Sequence, residues 1–105
     1  MKVERIQFER TGGFAGIRFA ADFKPDELPN EQSKELFDLL DDLDFDELPE
    51  KMLDDNVPDG FTYSITVKSE KKSHTVVTGD GSAPEKMQDL LQLLNRIARN
   101  QMRKQ

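Results

Sequence analysis

The chain has 105 residues, which is enough for one domain of ordinary size and too few for two, so we predict one domain over residues 1–105. It contains no cysteine, which excludes disulfides, thiolate metal sites and cysteine nucleophiles. Its net charge of −6 argues against nucleic acid as a partner, because neutralising phosphates requires a basic surface.

The composition predicts one thin hydrophobic core. Apolar residues make up 35% and charged residues 34% of the chain, which suits one sheet face covered by one or two helices. We therefore expect no deep cavity and no cofactor. No stretch approaches the roughly 18 apolar residues of a membrane span, and the charged start lacks the apolar stretch of a secretion signal. These patterns predict a cytoplasmic monomer without membrane contact.

The acidic residues are concentrated in one part of the chain. Residues 22–59 contain 15 Asp and Glu and three Lys, a net charge of −12, whereas the rest of the chain has a net charge of +6. Leucines are interleaved with the acids, which is typical of an acidic helix face followed by a turn. The acids form either a solvated face that keeps the protein soluble or a patch that attracts a positively charged partner.

The first predicted elements are two strands that form a hairpin. Residues 3–10 alternate, with Ile6 and Phe8 on one face, and residues 15–23 alternate again. Thr11-Gly12-Gly13-Phe14 separates them, and a Gly-Gly pair between alternating runs predicts a tight turn.

A helix capped by Asn30 and ending near Leu43 is predicted next. Its apolar stripe consists of Leu36, Leu39, Leu40 and Leu43. Residues 44–59 contain two prolines and are predicted to be irregular with one helical turn, with Phe45 and Leu48 beneath the core.

The second half repeats this order of elements. Alternation over residues 61–68 and 74–78 predicts two strands, and Ser82 with Glu85 fits a capping box at the start of the last helix. Residues 99–105 are either the end of this helix or a frayed basic tail. The order ββαββα predicts an α+β fold, with a four-stranded antiparallel sheet and both helices on one face.

No group of residues suggests catalysis or metal binding. His74 is the only histidine and is interpreted as an ordinary surface or rim position rather than a general base. The run Asp42-x-Asp44-x-Asp46 imitates a calcium loop, but Glu47 replaces the required glycine and Leu53 the final Glu. We therefore predict a protein-binding module that is not an enzyme.

Several motifs together resemble a known family. The most specific is the run from Arg10 to Ile17, which contains Gly-Gly-Phe-Ala-Gly. It is followed by Leu48-Pro49, a Phe-Thr-Tyr-x-Ile-x-Val strand, His-Thr-Val, and a turn before Pro84 and a leucine-rich helix. In this order and spacing the chain resembles the emfourin-like family of small bacterial protein inhibitors of thermolysin-type zinc metallopeptidases such as protealysin. The resemblance implies a cytoplasmic inhibitor with such a peptidase as its partner.

The resemblance leads to a hypothesis about contact residues. Gly12, Gly13, Ala15 and Gly16 permit close backbone approach, and Phe14 would fill the apolar pocket that thermolysin-type enzymes use after the scissile bond. Alternatively, the glycines only satisfy the turn and Phe14 packs onto the end of the last helix.

A second hypothesis concerns the acidic stretch. Asp55 and Asp59 precede the third strand, and their carboxylates either approach the catalytic zinc or an active-site arginine or lie in a solvated loop.

The rival function is a non-enzymatic interaction or regulatory domain whose partner is not a peptidase, and a weak enzyme is a third, remote reading.

Overall fold

Five strands and two helices make up the part of the chain that this computed structural model describes, which is residues 3–12, 19–52, 61–70, 72–79 and 85–103. The strands are β1 (Val3–Gly12), β2 (Phe19–Phe23), β3 (Lys51–Met52), β4 (Phe61–Ser69) and β5 (Ser73–Gly79). The helices are α1 (Asn30–Leu43) and α2 (Glu85–Arg103). Within these ranges neither helix carries the long, nearly uncharged apolar stretch that crossing a bilayer requires.

Four of the strands form an antiparallel sheet in the order β2-β1-β4-β5. β1 is an interior strand, pairing with β2 from Ile6 opposite Phe23 to Arg10 opposite Phe19, and with β4 along its other edge. Each hairpin is followed by a helix, so the predicted α+β class and ββαββα order are confirmed. The prediction succeeded because half-buried antiparallel strands alternate apolar and polar residues.

The two-residue strand β3 lies parallel to β5, a pairing that the sequence analysis did not predict. Lys51 and Met52 lie opposite Val77 and Thr78, and the Val77 N–H donates a 2.8 Å hydrogen bond to the Glu50 carbonyl. This pairing uses backbone groups on the outer edge of β5. It depends on where the chain passes in space, so no side-chain periodicity reveals it.

One face of the sheet packs against both helices in a single core. The strands contribute Ile6, Phe8, Phe19, Ala21, Phe23, Tyr63, Ile65, Val67 and Val76. The helices and the segment between them contribute Leu36, Leu40, Phe45, Met87, Leu90, Leu91, Leu93, Leu94, Ile97 and Ala98. The opposite face is mostly polar, and there the hydroxyls of Thr66 and Thr75 lie 2.8 Å apart across β4 and β5.

The first helix begins at Asn30, but Asn30 does not cap it. Pro29 occupies the cap position, and its carbonyl accepts a 3.0 Å hydrogen bond from the Ser33 N–H. The predicted cap was wrong because the chain leaves the extended conformation one residue earlier. Proline, with φ of −54°, is already suited to lead into a helix, although it offers no capping side chain.

The same helix ends at Leu43 because Asp44 adopts a left-handed conformation with φ of 48°. The Asp44 N–H donates a 3.1 Å hydrogen bond to the Asp41 carbonyl, which closes the last turn. A 3₁₀ turn over Phe45–Glu47 follows and buries Phe45 completely. The prediction that Phe45 and Leu48 pack beneath the core is confirmed.

Polar contacts on the open face join β1 to the edge strand β2. The Arg5 Nε donates a 2.6 Å hydrogen bond to Asp22 Oδ1, and the Gln7 amide donates to the other Asp22 oxygen at 3.3 Å. The Arg5 hydrogen bond lowers the pKa of Asp22, and Gln7 acts in the same direction. Both charged side chains are nearly half exposed, so this ion pair aligns the strands more than it stabilises them.

Substitutions at Asp44 test how the first helix is terminated. Asp44→Gly should be more stable than Asp44→Ala by about 1 kcal/mol in the free energy of unfolding. The reason is that the Cβ of alanine makes a left-handed φ sterically unfavourable, whereas glycine adopts it freely. Urea unfolding of the two variants measures this difference. An alanine variant equal to or more stable than the glycine variant would contradict the assigned conformation.

Candidate functional site

Of the residues predicted to contact a peptidase, Gly12 is the one that the structure describes. It is the last residue of β1, with Phe61 of β4 as its partner in the register. Thr11 and Gly12 were predicted to lie in a tight turn, and that prediction is wrong because both continue the strand. The other six predicted residues are Gly13, Phe14, Ala15, Gly16, Asp55 and Asp59, which lie outside the described residues.

The strands place the attachment points of these residues at one end of the sheet. In the register Gly12 lies opposite Phe61, Arg10 opposite Phe19, Thr62 opposite Gly79 and Met52 opposite Thr78. β1, β3 and β5 therefore end where β2 and β4 begin, and we call this the loop end of the sheet. Segments 13–18 and 53–60 begin and end there, and segment 80–84 begins there after β5. The sequence alone had left the glycine-rich segment and the Asp55 segment unrelated.

Arg10 occupies the core-facing side of β1 at the loop end. Its guanidinium carbon lies 4.5 Å from the centre of the Phe19 ring and 4.6 Å from the centre of the Phe61 ring. Its Nη1 donates a 3.3 Å hydrogen bond to Asn95 Oδ1 on α2. We call Arg10 with these three partners the arginine clamp.

Each contact of the arginine clamp is favourable in physical terms. A guanidinium over an aromatic face contributes about 0.5–2 kcal/mol, depending on how far it is removed from water. The guanidinium is planar, so it can stack on an aromatic ring and direct a hydrogen bond at the same time. A lysine ammonium is not planar and would make both contacts less well. Arg10 is half-buried, so its stem covers apolar surface while the charge stays near solvent.

The arginine clamp connects the flanks of two of the segments at the loop end. Phe19 is the first described residue after segment 13–18, and Phe61 is the first after segment 53–60. Arg10 holds both rings and, through Asn95, the second helix. The starts of β2 and β4 are thereby fixed relative to each other beyond what the backbone ladder alone provides.

The sequence analysis missed Arg10, although a signal was present. Ile6, Phe8 and Arg10 fall on the same side of β1, so a charge interrupts an apolar stripe. Such a residue at the end of a strand requires aromatic or polar partners. In the register Tyr63 is the partner of Arg10 and Phe61 is the partner of Gly12, so Phe61 reaches Arg10 diagonally, and the sequence does not show that contact.

His74 has a structural role. Its Nε2 lies 2.8 Å from the Leu48 carbonyl, and its ring meets Phe45 edge-on with centres 5.8 Å apart. These contacts attach the segment after α1 to β5, and the half-buried ring fits the predicted rim position. Across the described ranges, no three acidic or histidine side chains converge into a metal-ion site.

The acidic residues of the first helix lie in solvent. Its five Asp and Glu side chains are exposed, and Asp42 makes a 3.3 Å ion pair with Lys86 of the second helix. Exposure is what a solvated face and an attracting patch both require.

The matched family agrees with the sequence motifs described above. The sequence model of the Emfourin family matches residues 8–95 of the chain, which includes the second half of β1, the strands β2 to β5, α1 and α2 as far as Asn95. The chain belongs to the Emfourin family. This is a family of metallopeptidase-inhibitor domains. No curated protein and no solved structure matches the chain significantly.

The match also covers the clamp. Arg10, Phe19 and Phe61 lie inside the matched range, and Asn95 is its last residue.

Replacing Arg10 tests whether the clamp holds the loop end together. Arg10→Met keeps a long apolar stem but loses the charge and every side-chain N–H. Because the stacking and the hydrogen bond are lost, we expect the free energy of unfolding to fall by about 1–2 kcal/mol. Arg5→Met is the matched control, because it removes an exposed arginine from the open face of the same strand. Urea unfolding compares the two. Equal stability of Arg10→Met and wild type would show that the clamp does not stabilise this region.

Proposed function

We propose that this protein inhibits thermolysin-type zinc metallopeptidases, of which protealysin is an example, by inserting the segment around Gly12–Gly16 into the active-site cleft. Membership of the Emfourin family carries the proposal. The arrangement of the loop end supports it, because one flank of that segment, β1, is paired on both edges, and the other flank, β2, is held through Phe19 by the arginine clamp.

The register supports an inserted hairpin. Arg10 lies opposite Phe19, so eight residues, 11–18, connect the last paired positions of β1 and β2. The midpoint of this connection in sequence falls between Phe14 and Ala15, and not at Gly12 and Gly13. An apolar side chain in the middle of a connection between paired strands is well placed to lead an insertion.

Anchoring matters because binding must offset the entropy lost when a flexible segment is ordered. β1 is paired on both of its edges, and the clamp adds side-chain contacts from Arg10 to Phe19 and Phe61. A segment attached to such fixed ends loses less freedom on binding than one attached to frayed strands. We infer that the clamp contributes to inhibition by keeping this cost low.

In the proposed mechanism Phe14 occupies the pocket that receives the residue after the scissile bond, while the backbone of the glycine-rich segment covers the zinc. Asp55 and Asp59 belong to segment 53–60, which joins the structure at the same loop end. We propose that one of these carboxylates reaches the zinc or an active-site arginine. We propose that the inhibitor itself performs no reaction and acts in the cytoplasm as a monomer.

Titration of a thermolysin-type peptidase with the purified protein tests the function. We expect residual activity to fall linearly and to vanish near a one-to-one ratio, because a tight inhibitor removes one enzyme molecule for each molecule added. Cleavage of a fluorogenic peptide reports the activity. Full activity at a large excess of the protein would reject the proposal and favour an interaction domain with a non-peptidase partner.

Substitution of Phe14 tests the contact. Phe14→Ala should raise the inhibition constant by about thirtyfold or more, as expected for an anchor side chain that contributes about 2 kcal/mol. Phe37→Ala is the matched control, because it makes the same change on a half-buried position of α1. Circular dichroism establishes that both variants remain folded.

An inhibition constant for Phe14→Ala no higher than that of the control would remove Phe14 from the contact surface and favour its packing against the last helix. The double variant Asp55→Asn/Asp59→Asn, measured in the same assay, tests whether these two carboxylates belong to the contact surface.

A further inference from the structure

A cleft beside the arginine clamp contains three arginines. It has a volume of about 490 Å³ and is lined by Arg10, Phe19, Gln92, Asn95, Arg96 and Arg99. We call it the arginine cleft. It lies between the loop-end part of β1 and β2 on one side and residues 92–99 of α2 on the other.

The cleft is positively charged. Among the lining residues that the structure describes, none is acidic. Arg96 and Arg99 are exposed, lie three residues apart on one helix face, and make no ion pair within the described residues. Like charges at this spacing repel each other, and a bound anion would relieve that repulsion.

The sequence extends this bias along the last part of the chain. From Leu90 to Gln105 there are four basic residues and no acidic one, although the whole chain has a net charge of −6. The acidic residues described above lie on α1, whereas α2 is the helix that lines the cleft. A uniformly acidic partner would therefore be repelled by the molecule as a whole, and the cleft suits a carboxylate presented locally.

The chemistry of the lining also favours a carboxylate. Guanidinium groups bind carboxylates through two parallel hydrogen bonds, and the Arg10 guanidinium is already held in place by its contacts with two aromatic rings. Of its five N–H donors, one is directed at Asn95 within the described residues. The amide groups of Gln92 and Asn95 offer further polar contacts.

The size of protein interfaces indicates where the carboxylate comes from. A stable complex buries roughly 800 Å² on each partner, which is more than one short hairpin supplies. A peptidase that receives segment 13–18 must therefore also touch the surface beside the base of that segment. The arginine cleft shares Arg10 and Phe19 with that base.

We propose that the arginine cleft binds an acidic side chain on the surface of the target peptidase and serves as a second contact beside the inserted segment. This inference rests on the proposed function. It adds a charged, salt-sensitive component to an interaction otherwise based on an apolar side chain and backbone contacts.

Charge reversal tests the second contact. Arg96→Glu/Arg99→Glu changes two exposed side chains, and its matched control, Lys34→Glu/Lys72→Glu, makes the same change in net charge at exposed positions on α1 and beside β5. We expect the cleft variant to bind the peptidase about tenfold or more weakly than the control at about 0.05 M salt, with the difference shrinking at about 0.5 M because salt screens exposed charges.

The outcomes separate the two proposals. If wild type inhibits and both double variants bind equally well, the arginine cleft takes no part and this inference fails while the proposed function stands. If wild type leaves the peptidase fully active, the proposed function fails and this inference fails with it.

A second measurement examines the cleft without the peptidase. Titration with a short glutamate peptide, followed through the Nε–H signals of the arginine side chains by NMR, should shift Arg10, Arg96 and Arg99. Arg5 is the internal control, because it pairs with Asp22 on the opposite sheet face. Equal shifts for Arg5 would indicate unspecific ion binding and overturn the assignment of the cleft.

Discussion

Apolar side chains from one face of the sheet and from both helices meet in a single layer, and this layer determines which surfaces of the protein are left for function. The opposite sheet face carries threonines, serine and the Arg5–Asp22 pair. Most of the described residues on that face are polar, with Ala20 and Val77 as exceptions, and the buried residues of both helices pack against the other face. The loop end of the sheet is different, because there the chain repeatedly leaves the regular elements and a charged residue enters the core-facing side of a strand.

Arg10 gives the strand ends at the loop end additional side-chain contacts. A strand terminus normally frays, since its last residues have fewer ladder hydrogen bonds and less packing. Here the Phe19 and Phe61 rings enclose the Arg10 guanidinium, and Asn95 connects it to α2. The same residue thus stabilises the base of the proposed inhibitory segment and lines the arginine cleft. One side chain links the apolar and the charged parts of the proposed interface.

The charge distribution has a physical consequence for binding. Acidic side chains dominate α1, whereas the second half of α2 and Arg10 form a basic surface. A partner with an apolar pocket and a local acidic group matches the loop end, but a uniformly charged surface of either sign does not. Such a pattern contributes to selectivity as well as to affinity, because a wrong partner places like charges next to each other.

Local patterns in the sequence were sufficient to predict most of the elements. Alternation in β1, β4 and β5 and the leucine stripes of both helices identified them, because burial of one face imposes a period on the chain. The cap at Asn30 and the turn at Gly12 were wrong by about one or two residues, since boundaries depend on backbone conformations that many residues can adopt. The pairing of β3 with β5 left no sequence pattern at all.

By itself the sequence determined the class of the fold, the residues of the core and the family to which the chain belongs. Only the tertiary structure decided that Arg10 lies between Phe19 and Phe61, and that three arginines from β1 and α2 share one cleft. The physical reason is that periodicity records which side of an element is buried, whereas contacts between residues far apart in the chain depend on strand register and on how the helix crosses the sheet.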